Sequence, residues 1–183
     1  MGHFCLRCGA PLAPRVIEGR EVEACGNDDF VLWSDPKVAT AVVVETDAGI
    51  VLGRRAIEPG YGEWCLPGGF VNHDEHRADA AVRECREEIG ALVELDRLLG
   101  VYHVSKTTAA SIVGVAYAGT PAAGETISVG SEMLEVGVFS LDALPPLAFP
   151  SHREVLELYA RQRPASASPP SRARAGPTRS HKR

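Results

Sequence analysis

Residues 68–91 read GGFVNHDEHRADAAVRECREEIGA, and the second half of this stretch predicts an amphipathic helix. Apolar side chains recur there at steps of three and four residues, a spacing that places them on one buried face of a helix. These residues are Ala78, Ala81, Val82, Cys85 and Ile89. Gly90 follows them and is typical of the left-handed residue at which many helices end. We therefore predict a helix over residues 78–89 that packs on a core through this face.

Three glutamates gather at the end of the predicted helix. Glu84, Glu87 and Glu88 are spaced so that like charges meet, which destabilises a helix by roughly 0.2–0.5 kcal/mol per pair. The helix dipole also disfavours negative charge in the last turn. One interpretation is a solvated acidic face. The other is a site for a divalent cation, because clustered oxygen ligands are what Mg²⁺ or Mn²⁺ prefers.

The start of the same stretch could serve such a site. Gly68 and Gly69 carry no side chain, so the backbone there can approach a phosphate or offer a carbonyl oxygen to a metal. Glu75 precedes the predicted helix and Arg83 lies within it. An ion pair between them would fasten the loop to the helix and orient the metal ligands.

The complete spacing resembles the Nudix box. That motif is a glycine, five residues, a glutamate, seven residues, Arg-Glu-apolar, one residue, Glu-Glu, one residue and Gly-apolar. This chain fills every charged and glycine position and has small side chains at the two apolar ones: Gly69, Glu75, Arg83, Glu84, Cys85, Glu87, Glu88, Gly90 and Ala91. The resemblance implies an α/β fold, a Nudix-type α/β/α sandwich with a mixed sheet, preceded by a small zinc-ribbon-like unit.

Residue patterns along the rest of the chain indicate the same fold class. VATAVVVET and IVLGRR predict a hairpin over residues 38–55 with a three- or four-residue turn. Further strands are predicted within residues 91–104, 110–119 and 134–145, and a final helix over 151–162 with Ser151 as its N-cap. Strands outnumber helices and the connections are mixed, which favours a mixed sheet flanked by helices.

The resemblance also implies a chemistry and roles for the box residues. Nudix enzymes hydrolyse a nucleoside diphosphate linked to another group, and such a reaction needs charge neutralisation and an activated water. Glu84 and Glu88 would hold Mg²⁺ or Mn²⁺, and Glu87 would hold a further ion or help to take the proton from water. The remaining box residues would add a carbonyl ligand or structural support: Gly69, Glu75 and Arg83.

Other residues are candidates for the base and for substrate binding. In the family the base can lie on a loop beyond the box, where Glu132 and Glu135 are the candidates here; the alternative is that both are exposed structural acids. Arg54 and Arg55 end a predicted strand and could pair with phosphate oxygens, or they could simply be solvated. Tyr61 could stack on a nucleobase, and Trp64 in the same loop is expected to pack in the core.

Two further segments narrow the expected substrate. AIEPGYGEWCLPGGFVNHDE and LDALPPLAFPSHREVLELY resemble zinc-ribbon-containing ADP-ribose and FAD pyrophosphatases, which implies ADP-ribose or FAD as substrate and AMP as product. One alternative is an NADH/NAD-type dinucleotide pyrophosphatase, whose SQPWPFP signature is replaced here by HVSKTTAAS at residues 103–111. Another is a non-catalytic nucleotide-sensing module, whose usual mark is the loss of box glutamates.

The cysteines near the N-terminus suggest a second metal site. Cys5 and Cys8 form a C-x-x-C-G pair, which in a cytosolic chain indicates metal binding rather than a disulfide. A zinc ribbon has two such pairs; Cys25 begins the second, and Asp28 stands where its partner is expected. Zinc accepts carboxylate oxygen, so a site of three cysteines and one aspartate is possible. The alternatives are a ribbon without metal or one completed by His3.

Composition sets the remaining expectations. We predict a zinc-ribbon-like unit at residues 1–35, a Nudix domain at 36–162 and a disordered basic tail at 163–183. The 183-residue chain has a formal net charge of -5, and its acidic body makes nucleic acid an improbable partner, although the tail could touch RNA or an acidic lipid surface. No apolar run suits a membrane span, and the N-terminus shows no secretory signal. We expect a cytoplasmic protein that binds a nucleotide-type small molecule, and the resemblance suggests a homodimer.

Overall fold

The computed structural model describes residues 2–104 and 111–163. Contacts divide these residues into two units, one of residues 2–37 with 111 and the other of residues 38–104 with 112–163. The predicted basic tail lies outside the described residues except for Arg163, and so does most of the segment HVSKTTAAS. The domain boundaries after residues 35 and 162 stay predictions.

The smaller unit is a three-stranded antiparallel sheet. Its strands are β1 (Ala13–Ile17), β2 (Arg20–Ala24) and β3 (Val31–Leu32), in the order β1-β2-β3. Glu18 and Gly19 both have positive φ between β1 and β2, as a two-residue hairpin turn of the primed type requires. The fully buried side chains of this unit are Cys5, Ala24 and Cys25. So few apolar groups make a poor core, and small units of this kind usually need a metal or a disulfide.

The larger unit has one six-stranded sheet and two helices. The strands are β4 (Lys37–Thr46), β5 (Gly49–Arg55), β6 (Trp64–Cys65), β7 (Val93–Val104), β8 (Ile112–Pro121) and β9 (Met133–Phe139). They run in the order β6-β5-β4-β8-β7, and β9 pairs with β5. The helices are α1 (Arg77–Ile89) and α2 (Pro150–Gln162), with a 3-10 turn at Leu141–Ala143 before α2. Among the described residues, no helix is both long and apolar enough to cross a membrane.

The two faces of this sheet are covered by different helices. Neighbouring residues of a strand point to opposite faces, and in β4 and β5 every second side chain joins one of two separate buried clusters. One cluster contains Val43, Leu52 and the α2 residues Val155, Leu156 and Tyr159. The other contains Val42, Val51 and the α1 residues Ala81, Cys85 and Ile89. The predicted α/β/α sandwich is therefore confirmed.

Three local predictions need correction. The hairpin of β4 and β5 forms, but Thr46 pairs directly with Gly49, so its turn has two residues rather than three or four. Helix α1 begins at Arg77, one residue before the predicted start, with His76 as its N-cap. Ser151 is not the N-cap of α2: the helix begins at Pro150, and no side chain caps it. Proline suits the first helical position because its missing N–H would have no partner there anyway.

Candidate active site

The three glutamates of α1 lie in its last two turns and differ in exposure. The side chain of Glu87 is exposed, that of Glu84 is 13% exposed, and Glu88 is only 3% exposed. Glu88 accepts a hydrogen bond of 2.8 Å from the backbone N–H of Gly68. Gly90 ends the helix in the left-handed conformation, as the sequence predicted. The cluster is therefore partly withdrawn from water rather than spread over a solvated face.

Burial changes the protonation of these groups. It raises the pKa of Glu88 to about 8, with smaller contributions from the nearby charges of Glu84 and Glu132. The pKa of Glu84 is also raised, again chiefly by burial. A buried carboxylate is costly unless a positive charge or hydrogen bonds offset it. A cation bound beside these groups would offset this cost, since it would favour their charged forms.

Arg83 connects the loop before α1 with two of the helix glutamates. Its Nε and one terminal nitrogen donate to both carboxylate oxygens of Glu75, at 2.8 and 3.0 Å. The other terminal nitrogen donates to Glu84 at 2.9 Å and to Glu87 at 3.0 Å. A further bond of 3.1 Å reaches the carbonyl oxygen of Phe70. Arg83 and Glu75 thus orient the helix carboxylates, the supporting arrangement that metal ligands usually have.

The glycine pair is closely packed against the site. A Cβ on Gly69 would lie 2.5 Å from a carboxylate oxygen of Glu84, and one on Gly68 would lie 2.1 Å from the carbonyl oxygen of Thr40. The carbonyl oxygen of Gly69 accepts a 2.8 Å hydrogen bond from the N–H of Thr40. A carbonyl oxygen has two lone pairs, so Gly69 could still offer one to a cation. The Thr40 hydroxyl is buried beside this backbone without a hydrogen-bond partner in the described chain.

A cavity of about 590 Å³ opens beside these carboxylates. This volume is within the range of small-molecule sites. The box residues Gly69, Arg83, Glu84, Glu87 and Glu88 line it, together with Arg55, Glu132, Phe149 and His152. Carboxylates, the guanidinium of Arg55 and aromatic rings therefore line the same cavity.

Of the two adjacent arginines predicted to bind phosphate, only Arg55 lines the cavity. Its exposure is 9%, its Nε donates to the carbonyl oxygen of Pro59 at 2.8 Å, and its guanidinium lies 4.9 Å from the ring centre of Phe149. The pairing of β5 with β9 shifts register between Arg54 and Arg55, and such bulges redirect side chains near active sites. Arg54 instead bonds to the carbonyl oxygen of Gly62 and lies 3.6 Å from Glu135.

The two candidate bases are likewise separated. Glu132 lines the cavity and is close enough to affect the pKa values of Glu84 and Glu88. Glu135 is exposed on β9 and pairs with Arg54. Of the two, Glu132 is the one placed to act on a ligand in the cavity.

The aromatic candidates also divide. Tyr61 is 59% exposed and is not among the residues that line the cavity, so a stacking role would require this side chain to move. Trp64 packs against Phe139, with ring centres 4.8 Å apart, at the edge of the α2-side core. The prediction that Trp64 belongs to the core is confirmed.

The loop that carries Glu132 is fastened to the end of α1. Ser128 donates its N–H to the carbonyl oxygen of Ile89 at 2.9 Å, and Gly130 donates to that of Glu88 at 3.0 Å. A Cβ on Gly130 would lie 1.8 Å from the carbonyl oxygen of Glu87. These bonds satisfy carbonyl groups that the helix end leaves free and hold Glu132 at the same turn as the helix glutamates.

His152 and Phe149 also line the cavity, although neither was predicted from the sequence as a site residue. His152 accepts a 3.0 Å hydrogen bond at Nδ1 from the N–H of Leu66. Burial, with a contribution from Arg55, lowers its pKa to about 4. Both residues lie in the segment FPSHRE, which carries a histidine beside the helix start. That histidine was the available signal, but the segment was interpreted only as a helix start and as part of a family resemblance, and no role was assigned to its side chains.

The cysteine cluster belongs to the smaller unit. One ligand atom from each of Cys5, Cys8, Cys25 and Asp28 lies within 4.8 Å of all the others. Asp28 accepts a 2.8 Å hydrogen bond from the N–H of Phe30, which lowers the pKa of its carboxyl group. This carboxylate is therefore held charged beside the sulfur atoms, a donor set that suits Zn²⁺.

The alternative zinc ligand is engaged elsewhere. Nδ1 of His3 contacts the carboxylate of Glu23, and His3 is not part of the cluster of ligand atoms found among the described residues. The structure therefore brings together Asp28 and the three cysteines, rather than His3.

Comparison with known proteins agrees with this geometry. The NUDIX domain family matches residues 35–159. The chain is 30% identical over 154 residues to the ADP-ribose pyrophosphatase of Methanocaldococcus jannaschii, covering 84% of this chain and 87% of that protein. It is 27% identical over 175 residues to the NAD-capped RNA hydrolase NudC of Pseudomonas aeruginosa, covering 91% of this chain and 58% of that protein. A crystal structure of a NUDIX hydrolase from Nitrosomonas europaea superimposes with a TM-score of 0.76 at 30% identity, covering 87% of this chain and 91% of that one. The chain therefore belongs to the Nudix family of hydrolases.

Proposed function

We propose that this hydrolase cleaves the pyrophosphate of a nucleoside diphosphate linked to another group, with Mg²⁺ or Mn²⁺, and that ADP-ribose or FAD is its substrate and AMP a product. The observation that carries this proposal is the convergence of Glu84, Glu88 and Glu132 on one cavity with a buried arginine. The relative from M. jannaschii, described as an ADP-ribose pyrophosphatase, supports ADP-ribose.

The cavity residues are proposed to bind the cation and the phosphate groups of the substrate. Glu84 and Glu88 would hold the cation, with Glu87 at the exposed edge and the carbonyl oxygen of Gly69 beside them. When bound, a divalent cation neutralises phosphate charge and lowers the pKa of a bound water. Arg55 would pair with phosphate oxygens, since a guanidinium matches their geometry.

Glu132 is the proposed base. It lines the cavity on a loop fastened to the same helix turn as Glu88. From that position its carboxylate would accept a proton from the attacking water, while Arg83 and Glu75 keep the helix glutamates in place.

A dinucleotide such as NADH or an NAD-type group is the second candidate. It is favoured by the similarity to the NAD-capped RNA hydrolase of P. aeruginosa, of which this chain spans somewhat over half. The segment HVSKTTAAS lacks the SQPWPFP signature expected for that activity. ADP-ribose and FAD therefore remain the preferred substrate candidates. The non-catalytic alternative lacks support, because every box glutamate is present.

A parallel substrate screen tests the proposal. The protein would be incubated with ADP-ribose, FAD, NADH and nucleoside triphosphates, with and without Mg²⁺, and the products identified. We expect AMP from ADP-ribose or FAD only when the cation is present. Cleavage by a Glu88→Gln protein at the wild-type rate would count against the assigned site.

The smaller unit is proposed to hold one structural Zn²⁺ through Cys5, Cys8, Cys25 and Asp28. The closeness of the four ligand atoms and the charged state of Asp28 support this ligand set, and metal binding would compensate for the small apolar core. The cytoplasmic location and the homodimer also remain proposals, and light scattering on the purified protein would test the latter.

A further inference from the structure

Arg55, Phe149 and His152 form a continuous part of the cavity lining, which we call the Arg55 wall. The guanidinium of Arg55 lies 4.9 Å from the ring centre of Phe149. The rings of Phe149 and His152 meet edge to face, with centres 5.0 Å apart. The three side chains come from the end of β5 and the start of α2, so two rigid elements fix their positions.

The hydrogen bond to Leu66 determines where His152 carries its proton. Leu66 donates its backbone N–H to Nδ1 at 3.0 Å, and a ring nitrogen that accepts a hydrogen bond carries no hydrogen. The neutral ring must therefore hold its hydrogen on Nε2. Among the described residues none bonds to Nε2, while the ring lines the cavity. Nε2–H is thus a donor with a fixed orientation and no partner from the described chain.

Arg55 adds further donors to the same wall. Its side chain is 9% exposed, and no carboxylate of the described chain forms an ion pair with it within 4.0 Å. Glu88 is close enough to interact electrostatically with its charge, but a guanidinium has no acceptor atom and its N–H groups need oxygen acceptors. The Arg55 wall therefore presents N–H donors and ring edges, and it is suited to a ligand surface that carries acceptor oxygens.

We propose that His152 is a specificity-determining residue that donates its Nε2–H to a phosphate or sugar oxygen of the substrate, beside the phosphate contact of Arg55. This inference rests on the proposed function, because it assumes a nucleoside diphosphate derivative in the cavity. A site built to hydrogen-bond a substrate oxygen discriminates strongly against ligands without it, since its buried donor is then left unpaired.

Two substitutions at His152 separate this role from simple packing. His152→Gln can still accept from Leu66 through its amide oxygen and donate through its amide nitrogen, whereas His152→Phe fills the space without either bond. We expect His152→Phe to lower kcat/KM for ADP-ribose roughly 10- to 100-fold, the loss that follows when a hydrogen bond to a charged ligand is removed. His152→Gln should recover most of it. His73→Phe is the matched control, because His73 is 93% exposed, and it should leave activity unchanged.

Binding of the two halves of the substrate shows which oxygen is contacted. Calorimetry with Mg²⁺ would compare AMP and ribose 5-phosphate on the wild-type and His152→Phe proteins, with thermal melting as the check on folding. Weaker binding of AMP alone places the contact on the nucleotide half, and weaker binding of ribose 5-phosphate alone places it on the other half. Either result supports the inference.

Three results would overturn it: unchanged affinity for both ligands, a glutamine variant as impaired as the phenylalanine variant, or a wild-type protein that binds neither ligand. A wild-type protein that binds these ligands but cleaves neither ADP-ribose nor FAD would instead overturn the proposed function and leave the His152 binding comparison valid.

Discussion

Replacing Glu88 by glutamine should stabilise the metal-free protein while it abolishes hydrolysis. Glu88 is 3% exposed, and burial raises its pKa from 4.5 to about 8. Because the folded protein then keeps a proton that the unfolded chain releases, the carboxyl group makes folding less favourable as the pH rises from 4.5 towards 8. Glutamine has nearly the same shape and no charge, and its amide oxygen can still accept from Gly68.

The size of the effect follows from the two pKa values. At pH 7 the solution lies about 2.5 pH units above the ordinary pKa of the group and below the raised one, and each unit corresponds to about 1.4 kcal/mol. The carboxyl group therefore costs about 3 kcal/mol of folding free energy in the metal-free state, and Glu88→Gln should recover a gain of this order. At pH 4.5 the two proteins should differ little.

Urea unfolding in EDTA at pH 7 and pH 4.5 measures this difference. Glu94→Gln, at an exposed position of β7, is the matched control and should leave the unfolding free energy unchanged. Mg²⁺ should stabilise the wild-type protein and have little effect on the Glu88→Gln protein. The reasoning would be refuted if Glu88→Gln lowered stability in EDTA at pH 7, or if Mg²⁺ stabilised both proteins equally.

Three further outcomes are expected. The pKa of His152 is lowered to about 4 from 6.5, so between these pH values only the unfolded chain takes up the proton. Stability should therefore fall by about 3 kcal/mol as the pH falls from 6.5 towards 4, and His152→Gln should reduce this loss in urea unfolding. Gly130→Ala should lower the free energy of unfolding by about 1–3 kcal/mol and also lower kcat, because its Cβ would lie 1.8 Å from the carbonyl oxygen of Glu87. In the control Gly100→Ala the new Cβ meets only an ordinary contact of 3.7 Å, so stability and kcat should stay unchanged. Asp28→Ala should reduce bound zinc, measured by elemental analysis and chelator competition, and a zinc content equal to that of the wild-type protein would remove Asp28 from the ligand set.

The central part of the site could be predicted because its residues lie close together in the sequence. The spacing of Glu84, Glu87 and Glu88 follows from helical geometry. Glu75 lies only eight residues before Arg83, so their pairing is also a contact between neighbouring segments. The β-branched runs of β4 and β5 likewise predict a strand pair, and the structure shows that both of its faces are buried.

What could not be predicted depends on contacts between distant segments. His152 becomes a cavity residue only because α2 packs beside Leu66, 86 residues earlier in the chain. Arg54 and Arg55 look equivalent in the sequence, and a bulge against β9 separates their environments. The start of α2 was misplaced because a serine with good capping chemistry lies next to a proline that fits the first helical position.

A Mn²⁺ titration followed by electron paramagnetic resonance tests most directly whether the α1 glutamates hold the divalent cation of the proposed reaction. The wild-type protein and the Glu88→Gln protein would each be titrated with and without AMP. We expect saturable Mn²⁺ uptake by the wild-type protein and at least about tenfold weaker uptake by the variant, a loss of about 1.4 kcal/mol. Absence of uptake by the wild-type protein in both conditions, or equal uptake by the two proteins, would contradict the proposed metal site.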